Sequence, residues 1–490
     1  MKMTKKICIV SVCIALIFAL TACNLADMEF GGLVGELLGD SGISGVVPEH
    51  QPPVEETNDW FDRTDVDIGV MPGGIPNQIV VDGGEIILYE TIGTSQLKDT
   101  DEDSIIRRTQ LEMEEYVWAT YNVGMSHKLA DSADAMLDVV KSDVLAGSGN
   151  NYMCYLPLSQ IGEISTSGLF YSNHDLALEL NNGCWFNGFN ADLCIGDRQY
   201  AFAGYLTPYV QLNVDVLVYN QEMLAEHGFN LYNCYYSGQW TLDELYRLSK
   251  QMYVDLNANG QMDTGDTFAV VYPENFTDHI FYGSGVDLFD KGQMFYMHSE
   301  ETVLGMCDLA NKIREMSLHA LAFEAEALFL EGHSAFYATT LADYAGLDGG
   351  EAMVTYASMQ TGVVPTPYHT VTGGYTSHVD PDVTPVLAIP CNAAPEIGSA
   401  LNALSVLAGQ YYTSVLDTWL YKVCPSEDAL DLARRAMDNV SCDVDAIMLE
   451  AAGHNCNPVL VSNPASYLSQ YAKQFEKELT AIYRKVESNS

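Results

Sequence analysis

The chain has 490 residues and a formal charge of -44, from 22 Lys plus Arg against 66 Asp plus Glu. Hydrophobic residues make up 48% and charged residues only 18%, so a sizeable core is available and wholesale disorder is excluded. Three acids for every base exclude nucleic acid and an anionic lipid surface as electrostatic partners, since both are held by Lys and Arg, and make a neutral solute a better fit than an anionic one.

Lys2, Lys5 and Lys6 precede a largely apolar run from Ile7 to Leu20, and Leu20-Thr21-Ala22-Cys23 follows. A basic start, a short apolar stretch and small residues before a cut read as a secretory signal over residues 1–22. The run is shorter than the roughly 20 residues of a membrane-spanning helix. Leu-Thr-Ala-Cys resembles the bacterial lipobox, which implies that Cys23 receives a diacylglycerol and becomes the first residue of the mature chain. The alternative is an ordinary signal with an incidental Cys. Residues 23–75 are rich in Gly, Pro and acids, as in Gly39–Gly45 and Pro48–Pro53, and read as a flexible tether between the lipid and the folded body.

The body starts with two short β-rich runs, Gln78–Val81 and Glu85–Tyr89. The pattern then predicts a helix over 103–122, an extended stretch over Val123–Leu129, a helix over Asp131–Leu145 and a strand over Met153–Leu156. Val214–Tyr219 reads as a strand and Gln221–His227 as a short helix stopped at Gly228. Thr241-Leu-Asp-Glu244 is a capping box for the next helix, with Thr hydroxyl and Glu carboxylate each satisfying a free backbone N–H.

Asp255, Asn257, Asn259, Gln261, Asp263 and Asp266 then follow, with Gly260 between them. Oxygen-bearing side chains at loop positions 1, 3, 5, 9 and 12 and Gly at 6 form the calcium-loop pattern. Asp266 replaces the bidentate Glu of position 12, so affinity in the range of roughly 10⁻⁴–10⁻³ M is expected. A metal-free Asn/Asp/Gly turn stays open as the alternative. Nothing in the sequence requires a cofactor, and a structural Ca²⁺ here is the one metal it offers.

Phe268–Tyr272 is a further strand, with helices at 301–318 and 321–331. Val383–Pro390 is a buried strand, and a mostly helical C-terminus follows. Its last helix carries Leu468, Tyr471, Phe475, Leu479, Ile482 and Val486 on one stripe. Strand and helix alternate along the chain, which gives an α/β fold.

Outside the signal and Cys23 there are nine Cys, with no C-x-x-C pair. An odd number argues against a full disulfide framework and for free thiols. Nucleophile-elbow, zinc-protease, phosphate-loop and dinucleotide motifs are all missing from the sequence, which points away from an enzyme.

Val216-Leu-Val-Tyr219-Asn220-Gln-Glu-Met-Leu-Ala-Glu-His-Gly228 resembles the strand, Tyr-Asn and short-helix stretch of bacterial extracellular solute-binding proteins of the family 1 type, the capture subunits of ABC sugar importers. Gly238-Gln-Trp240-Thr241, the 255–266 loop, Asp197–Gly204, Ala327–Tyr337, Val363–Pro367 and Val386–Pro390 follow that family's order over about residues 80–450. The resemblance implies an α/β, two-lobed type II periplasmic-binding-protein fold with hinge crossings and a helical C-terminus. It places lobe one at 76–212 plus a segment after 389 and lobe two at 213–384. The second crossing and the C-terminal helices take 385–490, with crossings near Gln211–Val214 and Val383–Ile389.

It also implies a lipid-anchored protein on the outer face of the bacterial cytoplasmic membrane. The protein would be a monomer that captures a carbohydrate, an oligosaccharide above all, and delivers it to membrane permease subunits. An extracellular glycan-degrading enzyme and a surface sensor or adhesion protein with the same fold stay open. Ligands of α/β folds bind beyond the carboxyl ends of strands, and sugars need aromatic faces and planar polar groups. On that basis the ligand-binding candidates are Ser159, Gln160, Trp185, Tyr205, Tyr209, Asn275, Phe276, Thr340, Asp343, Tyr375 and Trp419.

Overall fold

Two four-stranded sheets, each covered by helices, organise the chain in a computed structural model that describes residues 76–91, 104–272, 276–294, 300–320, 324–347, 360–369, 374–394 and 396–488. All of these belong to one compact unit, Asp67–Ser490. Cys23, the signal and the tether to residue 75 lie outside the described residues, as does Asn275.

The first lobe begins with β1 (Glu85–Thr91), α1 (Ile105–Tyr121), β2 (Gly124–Ala130), α2 (Ala133–Ala146), β3 (Tyr152–Pro157) and α3 (Ile161–Thr166). Local chemistry marks the ends. The Ser104 and Ser132 hydroxyls accept the free N–H groups of Arg107 and Ala135, capping α1 and α2. Asn122 and Gly147 close the same helices in the left-handed conformation. Every residue of β3 is buried, as its unbroken apolar run requires for a central strand.

One expectation fails here. Gln78–Val81 is not a strand: Asp82–Gly84 forms a 3₁₀ turn with Gly83 and Gly84 at φ 76° and 69°, which turns the chain before β1. Both sides of β1 are already paired, to β2 and β3, so that sheet position is taken.

The second lobe holds β4 (Asp215–Asn220), α4 (Leu242–Met252), β5 (Phe268–Val271), α5 (Phe276–Gly283), α6 (Glu300–Ser317), β6 (Ser334–Thr340), α7 (Leu341–Ala345) and β7 (Thr361–Pro365). Its sheet runs β5-β6-β4-β7, with β5 parallel to β6 and β4 antiparallel to both its neighbours. Trp240 is fully buried and donates its indole N–H to the Pro365 carbonyl at 2.8 Å, fixing the start of α4 against β7. The capping box at that start is half formed. Thr241 accepts the Glu244 N–H, but the Glu244 carboxylate turns to Arg247, a charged partner one turn on. The helix expected over 321–331 begins at Ala325, after Glu324 in the left-handed conformation.

The chain returns to the first sheet as β8 (Pro385–Ala388), antiparallel to β3, which gives the order β8-β3-β1-β2. Helices α8 (Ile397–Val423), α9 (Glu427–Asp438), α10 (Val444–Ala451) and α11 (Pro464–Ser488) complete the C-terminus. Helix α8 packs on α1 of the first lobe and reaches α7 of the second, while α9 covers β7. Helix α10 lies on α3, so close that a Cβ on Gly162 would stand 3.5 Å from Met448 Cγ. In α11 the residues Leu468, Phe475, Leu479 and Val486 of the expected stripe are buried, and Tyr471 and Ile482 pack against the core. All nine Cys among the described residues are free thiols. No helix among the described residues is long and apolar enough to cross a membrane.

Candidate functional site

Two chain crossings join the lobes, and they are bonded to each other. Val214 bridges Val379 in antiparallel sense, and the Asp215 N–H donates to the His378 carbonyl at 2.8 Å. The returning segment is also tied to the end of β3, through Leu158 N–H to the Thr384 carbonyl and Ser159 N–H to the Pro381 carbonyl, both at 2.9 Å. The segment 378–384 is therefore shared by both lobes, as a hinge must be.

A cleft of about 350 Å³ opens directly on this hinge. Its floor is Asp215 with His378, Asp380, Pro381, Asp382 and Val383. One wall is the carboxyl end of the second sheet, where β5 leads to Asp278, His279 and Tyr282 on α5 and β6 ends in Thr339 and Thr340, followed by Asp343. The opposite wall is α10 and its start, from Cys442 and Asp443 to Ile447 and Glu450. Because α10 packs on α3, the cleft lies between material of both lobes, beyond the strand ends where α/β folds take ligands.

Asp215 organises the floor. Its carboxylate meets Nδ1 of His378 at 2.7 Å and Nδ1 of His279 at 3.3 Å, and all three side chains are nearly buried. Burial alone would lower the His378 pKa, but the Asp215 hydrogen bond, with charge from Asp215, Asp380 and Asp278, holds it above the ordinary value. Burial wins at His279, whose pKa is lowered, with His378 adding to the effect and Asp215 opposing it. The His378 ring stacks on Tyr282 with centroids 5.3 Å apart and planes 19° apart. The Tyr282 hydroxyl donates to Glu450 at 2.5 Å, linking α5 to α10. Burial raises the pKa of Asp380, Asp443 and Glu450.

Of the eleven ligand candidates, Thr340 and Asp343 line this cleft. They also cap α7 reciprocally, Thr340 accepting the Asp343 N–H and donating to its carboxylate. Ser159 joins the hinge through its backbone, with Gln160 next to it. The aromatic candidates Trp185, Tyr205, Tyr209, Tyr375 and Trp419 lie elsewhere. Trp185 is buried edge-on to Phe202, Tyr205 edge-on to Phe186, and Tyr209 is buried in a short helix before the first crossing. Tyr375 stacks on Tyr235, and Trp419 donates its N–H to the Ala345 carbonyl. Phe276 opens α5. The reading from residue type missed Asp215, Asp278, Tyr282, His378 and Glu450.

The 255–266 loop is closed by its own hydrogen bonds. Asp255 accepts the N–H groups of Asn259 and Gly260, and Asp263 accepts the side-chain amides of Asn257 and Asn259 and the N–H of Gly265. The Asn259 side-chain oxygen accepts the N–H of Gln261. Asp266, fully buried, accepts the N–H groups of Leu256 and Asp263. Among the described residues no group of three or more His, Cys, Asp or Glu is placed to hold a metal ion.

No family model matches the sequence, and no curated protein does. Solved structures do match in fold. The sugar-binding protein MalE from Xanthomonas citri is 10% identical, covers 82% of this chain and 99% of its own, and superposes with a TM-score of 0.51. The maltose/maltodextrin-binding domain MalE from Bdellovibrio bacteriovorus, bound to maltotriose, is 15% identical over 81% of this chain and 100% of its own, with a TM-score of 0.46. UgpB from Mycobacterium tuberculosis, in complex with glycerophosphocholine, is 14% identical over 83% and 98%, with a TM-score of 0.48. The chain has the two-lobed type II periplasmic-binding-protein fold, with hinge crossings and a helical C-terminus.

Proposed function

We propose that the chain is an extracellular solute-binding protein that captures a carbohydrate between its lobes and delivers it to a membrane importer. The observation that carries this reading is the cleft seated on the paired crossings, where a solute touching both walls would favour the closed arrangement by its differential affinity. The similar proteins of the same fold that are described as sugar-binding support the solute class. The test is a thermal-shift screen of oligosaccharides with a parallel assay for released reducing ends. A raised midpoint without release is expected; release would instead support the glycan-degrading enzyme.

Lipid anchoring rests on Leu20-Thr21-Ala22-Cys23. Two acyl chains hold a protein stably, at roughly 0.8 kcal/mol per buried CH₂. Cys23→Ala is expected to move the protein from the membrane fraction to the medium, and retention on the membrane would refute the anchor.

For the 255–266 loop we propose weak structural Ca²⁺ binding by oxygens of Asp255, Asn257, Asn259, Gln261, Asp263 and Asp266, which requires the loop to rearrange from its present hydrogen-bonded form, in which the acids are not gathered around a metal position. With a dissociation constant of about 1 mM, about 10 mM Ca²⁺ would stabilise the protein by about 1.4 kcal/mol. The thermal midpoint should rise with Ca²⁺ and not in Asp255→Ala; an unchanged wild-type midpoint overturns the proposal.

A further inference from the structure

Among the described residues that line the cleft, seven are carboxylic acids, two are His and none is Lys or Arg. Burial keeps His279 neutral near neutral pH. Burial opposes the proton of His378 as well, but the Asp215 hydrogen bond and the nearby acids outweigh it. His378 is therefore the positive charge of the cleft.

Four segments share that charge. Asp215, at the start of β4, holds Nδ1 at 2.7 Å. Asp380 on the return crossing and Asp278 on α5 act on the imidazolium through space, and Glu450 on α10 feels it in turn. From α5 the ring is also faced by His279, which shares Asp215 with it, and by Tyr282, on which it stacks with centroids 5.3 Å apart. A cation within about 6 Å of an aromatic centroid is attracted to the ring. The same Tyr282 donates to Glu450 at 2.5 Å, a bond that runs from one wall of the cleft to the other. Asp343, Asp382 and Asp443 are the remaining acids of the lining.

The place of this charge in the chain matters as much as its partners. His378 opens the segment 378–384 that both lobes share, and its carbonyl accepts the Asp215 N–H that pairs the two crossings. Without the proton, Asp215, Asp278, Asp380 and Glu450 face one another with no counter-charge in a nearly dry space, where repulsion is poorly screened. Parting the walls admits water and relieves it.

We infer that His378 is a proton-operated clasp of the hinge: protonated, it holds the floor and both walls of the cleft together, and its deprotonation shifts the lobes toward the open arrangement. This adds regulation to the capture reading above and rests on it for its purpose, but the lobe movement is measurable with no solute present. Closing surrounds the imidazolium with acids, so its pKa is higher closed than open. The closed fraction therefore falls as pH rises above about 6.5 and through the raised pKa of His378.

Small-angle scattering on the intact, solute-free protein tests the clasp, from about pH 6 to about pH 9.5 at about 150 mM salt. The wild-type radius of gyration is expected to rise with pH in a single step. His378→Gln keeps a donor for Asp215 but carries no charge, so it should show the expanded radius at both ends of the range. Asp215→Asn removes the main hold on the proton and should move the step to lower pH, which keeps the test open should His378→Gln not fold. For any solute the protein captures, affinity should weaken about tenfold for each unit by which closing raises the imidazole pKa, and stay level in His378→Gln.

A wild-type radius that does not change with pH overturns the inference. So does the same rise in His378→Gln, which would assign the movement to another group, or a step that Asp215→Asn leaves in place. If no solute binds at any pH, the capture reading fails while the scattering result still decides the clasp.

Discussion

Asp215→Ala is expected to destabilise the protein by about 3–5 kcal/mol, the usual consequence of removing one partner from a buried charged pair. Asp215 stands at the first residue of β4, where its backbone holds the crossing to His378 and its side chain holds two imidazoles. Without the carboxylate neither Nδ1 keeps the acceptor that now stands beside it in this nearly buried site. Asp215→Asn should lose less, because a side-chain oxygen can still accept from Nδ1–H. The pH dependence gives the effect a signature. The folded His378 pKa is raised above its unfolded value, so its contribution is complete below about 6.5 and disappears as pH rises through the folded pKa. The deficit of Asp215→Ala, measured by denaturant midpoint, should therefore be larger at pH 6 than at pH 9. An equal deficit at both would show that charge pairing is not the cause.

The second large effect concerns the whole body. Burial holds Asp192, Asp380, Asp443, Asp445 and Glu450 above their ordinary values. A carboxyl raised in the folded state binds more protons folded than unfolded, so stability falls as pH rises through the folded pKa. His127 acts in the same direction. Burial opposes its protonation, but hydrogen bonds to Glu114 and Glu90 raise it to about 9, and its contribution is lost as pH climbs past that value. His279 and His369 act oppositely, since lowered histidines cost stability as pH falls below about 6.5. The acids outnumber them, and protonation also relieves part of a net charge of -44. The thermal midpoint is expected to be several degrees higher at pH 5.5 than at pH 8. A midpoint that falls on acidification would contradict the assignment of these carboxyls as buried and raised.

Much of the fold was legible because its signals are local. The helix of α1, the strands β2, β3 and β5, and the stripe of α11 follow from periodicity and caps that act within a few residues. Gln78–Val81 misled because β-propensity does not show whether a sheet edge is free, and both sides of β1 were taken. The Glu244 half of the capping box failed to a nearby Arg247, a competition that residue spacing does not rank.

The candidate site was less legible. Thr340 and Asp343 were reachable because they stand at and just beyond the end of a strand. The choice of Trp and Tyr followed expected sugar stacking, and Trp185, Tyr209 and Trp419 pack or hydrogen-bond within the protein instead. The better signal was an acid inside an apolar strand, Asp215 between Val214 and Val216, together with the run His378-Val-Asp380-Pro-Asp382 before the return crossing. Their meaning depends on a pairing between segments more than 160 residues apart, which the hydrogen bond from His378 Nδ1 to the Asp215 carboxylate provides and no local pattern encodes.

Isothermal titration of the purified protein with neutral and amine-bearing oligosaccharides, repeated on Asp278→Ala and Tyr282→Ala, tests capture in this cleft most directly. At least one solute should give saturable one-to-one heat, weakened by more than about tenfold in each variant. Saturable binding that both variants leave unchanged, or no heat from any solute, would contradict the account.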